Sequence, residues 1–328
     1  MISTRRLLLT GAVALLVVGA VAAFVAVHAP ARDSATSATQ FPNVRRLFGS
    51  NLVYYGEPTL SPDGRSIAYT SDKSGGLEIY VSGIVQGSRE IATTGDGGQN
   101  EQPQWSPDGQ WIAYHSQVHG GVWIVPATGG VARQVVDFGS QPSWSPDSRW
   151  LAFASYEGAI AAQSDIWIIR NDGTDRRQVT RLGSPPGGHH MPSWSRDGRH
   201  LAFGRYDGER TSDLWVVGIE YGMLKKLAES SLIPGGSVFR RSQFAYDDKA
   251  LYFAGVTIDG NGRIFKMTLD RNTFEPSDPP QPVLAYGDAF PGDFSVTRDG
   301  TIVYGSGRLE SLGCLRVAAI RCSNPKSP

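Results

Sequence analysis

Cysteine is almost absent: Cys314 and Cys322 are the only two in 328 residues. Two thiols exclude a disulfide-dense scaffold and cannot form a zinc site by themselves, and no Cys-x-x-Cys redox pair occurs. An oxidising compartment would permit one local bridge, so the two are a candidate disulfide. Net charge is also absent, with 31 basic against 31 acidic residues. No global basicity points to nucleic acid, although an even balance leaves room for a local charged patch. After residue 40 no segment has a long helical period, which excludes helical bundles and alternating α/β folds. No serine has glycine at both −2 and +2, so the strained nucleophile elbow of an α/β-hydrolase is missing. Gly95-Asp96-Gly97-Gly98 is not followed by a helix and is not a phosphate cradle.

What the chain does have is a phrase repeated along its length. Pro103–Tyr114 reads Pro-Gln-Trp-Ser-Pro-Asp-Gly-Gln-Trp-Ile-Ala-Tyr, and Pro58–Tyr69, Pro142–Phe153 and Pro192–Phe203 follow it closely. Two worn copies lie around Phe244–Phe253 and Phe294–Tyr304. The turn aspartates Asp63, Asp108, Asp147, Asp197, Asp247 and Asp299 are spaced by 45, 39, 50, 50 and 52 residues. A period near 45 marks a repeat architecture.

The third copy shows what fills one period. Gln141–Ser145 and Trp150–Tyr156 read as strands around a Pro-Asp turn. Asp165–Arg170 is a third strand, Asn171-Asp172-Gly173 reverses the chain, and Arg177–Thr180 is a fourth. Each repeat is therefore four antiparallel strands. The expected fold is all-β: a six-bladed β-propeller of four-stranded antiparallel blades, preceded by one N-terminal apolar helix. Val44–Leu47 resembles an outer strand, whereas the last repeat lacks a clear one, so the N-terminal strand is expected to complete the final blade and close the ring. The aromatic slot Leu60, Trp105, Trp144, Trp194 and Phe244 is expected to pack between blades.

Leu7–Ala29 runs 23 residues with only Thr10 and His28 polar. As a helix it would span about 35 Å, enough to cross a bilayer core. Arg5 and Arg6 before it would remain cytoplasmic. Residues 1–31 thus read as an uncleaved signal-anchor helix or a cleaved signal peptide, 32–42 as a flexible linker, 43–322 as the propeller and 323–328 as a tail. Either reading of the N-terminus places the propeller outside the cytoplasmic membrane, anchored or exported, in the cell envelope.

The Trp-Ser-Pro-Asp-Gly phrase, with Ile/Leu-Ala-Tyr/Phe after it and Ile-Trp later, resembles the TolB-like propeller repeat. That repeat also occurs in the propellers of prolyl oligopeptidase-type enzymes. The resemblance covers about residues 43–320 and implies a six-bladed propeller. It includes envelope proteins and extracytoplasmic sensor parts among its members.

No residue set commends itself as catalytic, no cofactor is implied, and no metal site is expected. The repeated aspartates each belong to a different blade without further carboxylates at ligand spacing. His115 and His119 lie at a strand end and in its loop, where their spacing has no helical meaning. In an a-b-c-d meander the b–c loops and d–a connections share one face, and these are the longer, more varied segments. Loops carry function more often than scaffold does. Glu101, Gln102, Gln141, His189, His190, Arg240 and Arg241 lie at that end and are the candidate binding face. The expectation is a non-enzymatic propeller that binds an envelope protein or peptide, with the membrane reached through the N-terminal helix and no nucleic acid as partner. The alternatives are a ligand- or glycan-binding sensor and a channel-site hydrolase or lyase.

Overall fold

The computed structural model describes residues 44–48, 55–85, 88, 90–155, 164–181, 187–206, 212–232, 237–257, 262–285, 290–298, 300–307 and 315–321. The expected apolar helix, the linker, the tail and both cysteines lie outside the described residues. The chain divides into the units Met1–Thr39 and Gln40–Pro328, and all the strands belong to the second. Among the described residues no helix is long and apolar enough to cross a membrane.

The strands form six four-stranded antiparallel sheets. Five are built from consecutive strands. The first contains β2 (Tyr55–Leu60), β3 (Ser66–Ser71), β4 (Glu78–Gly83) and β5 (Glu90–Ala92). The second contains β6 (Asn100–Trp105), β7 (Trp111–Ser116), β8 (Val122–Pro126) and β9 (Arg133–Val136). The third has β10 (Ser140–Trp144), β11 (Trp150–Ala154), β12 (Ile166–Arg170) and β13 (Arg177–Gln178). The fourth has β14 (Gly188–Trp194), β15 (His200–Tyr206), β16 (Ser212–Gly218) and β17 (Leu224–Ala228). The fifth has β18 (Ser237–Phe244), β19 (Ala250–Thr257), β20 (Gly262–Thr268) and β21 (Gln281–Ala285). The remaining sheet joins β22 (Phe290–Val296), β23 (Thr301–Gly307) and β24 (Leu315–Arg321) to β1 (Val44–Phe48), in the order β1-β24-β23-β22. Val44 faces Ile320 in that pairing. The first strand of each sheet touches the first strand of the next, and β22 meets β2, so the sheets form a closed propeller.

The core lies between sheets, where strand b is buried on both faces. Trp144, Leu151 and Phe153 of the third sheet pack on Ala113, Ile124 and Val135 of the second. Phe244, Leu251 and Phe253 of the fifth pack on Ala202, Leu214 and Val216 of the fourth. Each such large side chain removed from water contributes about 1.5–3 kcal/mol. Two indoles of the aromatic slot also bridge sheets, while Trp105 Nε1 donates to the Gly109 carbonyl of its own turn. Trp144 Nε1 donates to the Gln104 carbonyl at 3.0 Å and Trp194 Nε1 to the Ser143 carbonyl at 3.2 Å.

The Ser-Pro-Asp-Gly turn is a closed hydrogen-bond unit. Ser61, Ser106, Ser145 and Ser195 donate to the carboxylates of Asp63, Asp108, Asp147 and Asp197 at 2.5–2.6 Å. The same carboxylates accept from the amides two residues on. The serine oxygens in turn accept from the amides that open strand b. The last residue of the turn takes a positive φ, 68° at Gly64 and 76° at Gly109, which favours glycine. In the fifth repeat Ala245 replaces the serine, and only the Asp247 bond to the Lys249 amide remains. In the sixth, Thr297 keeps the hydroxyl. The aspartates from Asp63 to Asp247 are thus turn scaffold; Asp299 lies outside the described residues.

This gives the turns a pH dependence. The Ser61 hydroxyl and then the Arg65 amide hold the Asp63 carboxyl below the usual aspartate range. A depressed folded-state pKa contributes stability that is complete above the unfolded value of about 4 and is lost as pH falls through the folded value. Asp63→Asn should therefore lose less thermal stability than the parent between pH 5 and pH 3. Identical slopes in the two melting series would contradict this.

Candidate functional site

Every inner strand is irregular at one place. Two residues of strand a oppose one of strand b, between Gly56 and Thr59, Glu101 and Gln104, Ser140 and Ser143, and His190 and Ser193. The extra residue makes a β-bulge. Its left-handed φ is 53° at Glu57, 60° at Gln102, 58° at Gln141 and 52° at Met191. Each lies three residues before the aromatic slot.

These bulges form a relay around the channel. The Glu57 carboxylate accepts from the Gln102 amide N–H at 2.5 Å and from the Thr70 hydroxyl at 2.8 Å. The Gln102 side-chain carbonyl accepts from the Gln141 N–H at 2.7 Å. The Gln141 side-chain carbonyl accepts from the Met191 N–H, also at 2.7 Å. Methionine offers only a weak sulfur acceptor, so the relay ends there. One residue before the aromatic slot there is a second tier of links. Leu60 N–H donates to Ser295 Oγ, Trp105 N–H to Thr59 Oγ1, and Val296 N–H to Gln243 Oε1.

The candidate binding face therefore resolves into different roles. Gln102 and Gln141, named for the candidate binding face, act here as latches between neighbouring sheets. The bulge turns each side chain along the ring toward the next amide. Glu101 is half-buried and pairs with His115 across β6 and β7. His189 belongs to β14 rather than to a loop, and its exposure is 0%. Its Nδ1 stands 2.8 Å from Thr180 Oγ1 and 3.3 Å from Asp165 Oδ1, and its ring meets Phe203 edge-on. It stitches sheet four to sheet three and presents nothing to a ligand. His190, on the opposite side of the strand, packs against Gly204, where a Cβ would stand 2.5 Å from its ring. Arg240 lies in β18. Arg241 is buried at 7% exposure and lines the channel. His115 Nδ1 is 3.0 Å from the Gly121 carbonyl, and His119 lies 3.8 Å from Asp96. Among the described residues no group of three or more His, Cys, Asp or Glu is placed to hold a metal ion.

The channel widens into a cavity of about 540 Å³ toward the a–b turns, the end opposite the b–c loops. Its wall is made by the residues just before the aromatic slots, and its rim by the turns. Pro62, Pro107 and Pro146 form the rim on the first three sheets. On the next three the equivalent residues are Arg196, Tyr246 and Arg298. Both guanidinium groups lie over the Tyr246 ring, at 5.5 and 4.6 Å from its centroid. Asp248 accepts from the Arg196 and Asp197 amides at 2.7 and 3.0 Å, tying the fifth turn to the fourth. Burial pushes the Arg196 guanidinium below the usual arginine range, while burial pushes the Asp248 carboxyl up. The departures from Ser-Pro-Asp-Gly at 196, 246 and 298 were the sequence signal for this half-rim.

Fold and channel define a β-propeller of four-stranded antiparallel sheets. No family model matches the sequence, and no curated protein matches it. Solved structures do resemble it. A protein of Agrobacterium tumefaciens assigned as TolB superposes with a TM-score of 0.60 at 14% identity, covering 86% of this chain and 98% of the other. The oligogalacturonate lyase of Vibrio parahaemolyticus gives 0.56 at 11% identity, covering 87% and 94%. TolB of Acinetobacter baumannii gives 0.55 at 15% identity, covering 85% of this chain and 64% of the longer TolB chain. At these identities the likeness establishes the fold.

Two substitutions test the scaffold roles. Gln141→Leu removes the acceptor for the Met191 amide and should cost about 1–3 kcal/mol in urea unfolding. A loss within error of zero would mean that the latch is replaced by water. Gly204→Ala should cost about 1–3 kcal/mol by forcing the His190 ring aside. The double variant with His190→Ala should recover part of that loss; strict additivity would show that the two sites do not touch.

Proposed function

We propose that this protein is a non-enzymatic, extracytoplasmic binding propeller that engages an envelope protein or peptide through the face bearing the b–c loops and d–a connections. The observation that carries the reading is the engagement of its acid–base groups in scaffold. His189 and Asp165 are locked in a buried intersheet network, and the turn aspartates are held by their own serines and amides. A general base must reach the proton it takes; the His189–Asp165 pair is enclosed, and the turn carboxylates, although exposed, already accept hydrogen bonds from their own turns. The likeness to two TolB structures supports a protein-binding role, and the neighbouring oligogalacturonate lyase supplies the competing one. The apolar run Leu7–Ala29 behind Arg5-Arg6 supports an envelope location.

Photo-crosslinking in intact cells of the native host tests this directly. A crosslinker at Val118, exposed in the β7–β8 loop, should capture a discrete protein adduct. One at Val131, exposed at 90% between β8 and β9 on the other face, should not. Equal capture at both positions, or turnover of an oligouronide by the purified protein, would sink the reading.

A further inference from the structure

The turn end of the channel is unlike the rest of the molecule in charge. The whole chain is neutral, yet the cavity of about 540 Å³ is lined by four arginines, Arg196, Arg241, Arg271 and Arg298, against two aspartates, Asp197 and Asp248. Both carboxylates already accept hydrogen bonds. Asp248 takes two backbone amides, and Asp197 takes the Ser195 hydroxyl and the Arg199 amide. By contrast, Arg196, Arg271 and Arg298 make no ion pair with a carboxylate among the described residues. Arg196 Nε is buried without a hydrogen-bond partner there. A guanidinium withdrawn from water without a partner is costly, and a planar fork of donors matches a carboxylate or phosphate.

The placement follows from the repeat. The turn position occupied by proline in the first three sheets becomes Arg196, Tyr246 and Arg298 in three consecutive ones, so the change makes one continuous arc. Proline there suits the turn by fixing φ. Its replacement gives up that advantage three times on the same side. Tyr246 stands between Arg196 and Arg298 in the order of the turns, and its ring attracts both cations. Arg271, on the turn between β20 and β21, and Arg241, on the channel wall of β18, add charge from the rim and the wall. The volume lies within the range typical of small-molecule pockets.

We propose that this cavity binds a small polyanion carrying two or more carboxylate or phosphate groups, held by Arg196, Arg298 and Arg271 at the rim and Arg241 within. The site is at the opposite end of the channel from the proposed protein-binding face and does not depend on it. The ligand carries negative charge at two points because the cations are spread along an arc.

Calorimetric titration of the purified full-length chain at 0.15 M salt tests this. The probes are citrate and pyrophosphate, with acetate at matched ionic strength as the singly charged control. Citrate or pyrophosphate should bind in the micromolar to low millimolar range and raise the melting temperature, and acetate should do neither. Binding of citrate alone assigns carboxylate chemistry; binding of pyrophosphate alone assigns phosphate. Arg298→Gln and Arg271→Gln alter exposed rim residues and should each weaken binding about tenfold, the loss of one charge-assisted contact. Arg196→Gln should weaken it at least as much. Arg199→Gln, on the same face but outside the cavity, should leave it unchanged. The proposal is overturned if neither polyanion binds at 1 mM, if acetate binds equally well, or if the three cavity variants, folded by circular dichroism, bind as the parent does.

Discussion

The propeller depends on one backbone irregularity repeated around its axis. A regular inner strand would direct successive side chains to the two faces of its own sheet. The bulge instead turns one side chain toward the next sheet, where it meets the amide of the equivalent bulge. The left-handed φ and the latch therefore come as a pair, since the strain at Gln102 and Gln141 is offset by the bond that the conformation allows. Three successive sheet-to-sheet joints are held this way, from Glu57 to Met191. Beyond Met191 the linkage passes to other tiers: Asp248 between the fourth and fifth turns, Gln243 between the fifth and sixth sheets, and Ser295 between the sixth and first.

Apolar packing and polar latching divide the work by radius. Away from the channel, Trp, Leu and Phe side chains fill the gaps between sheets and supply most of the stabilisation. Near the channel the sheets converge, and polar side chains reach from one sheet to the backbone of the next. A wall of this kind is rigid, and its polar atoms are mutually engaged. Polar residues at the strand starts are thus used in part for joining the sheets. Both binding sites proposed above fall where the repeat is relaxed, the b–c loops at one end and the altered turns at the other.

Much of the fold was legible in the sequence for a simple reason. The same physical problem is solved repeatedly, so each copy explains the others. The turn aspartates, the interblade aromatics and the return of the N-terminal strand to the last sheet all follow from the period. The site was harder to read. A glutamine at a bulge and a glutamine on a rim are the same letter, and the sign of φ at Gln141 has no signature when glycine is absent. His189 is a polar letter after a Gly- and Pro-rich stretch, and nothing in the sequence shows that β14 reaches back to Gly188 and buries it. Arg196, Tyr246 and Arg298 were readable only as faults in a pattern. They looked like wear until the ring placed them side by side.

Closure of the ring has a kinetic side. β1 is made first, yet its partner β24 lies some 270 residues further on. Until β24 emerges, the first-made strand has no place in the structure and the last sheet has an open edge. Such a distant pairing is slow to form and sets the step at which the circle becomes cooperative. Before it the chain is an open stack that can lose sheets from either end; after it, no sheet is terminal. A cut or truncation that frees β24 would thus weaken the molecule at its seam rather than at its edge. The seam joins the first and last strands of the propeller, so the ring closes only when both are present.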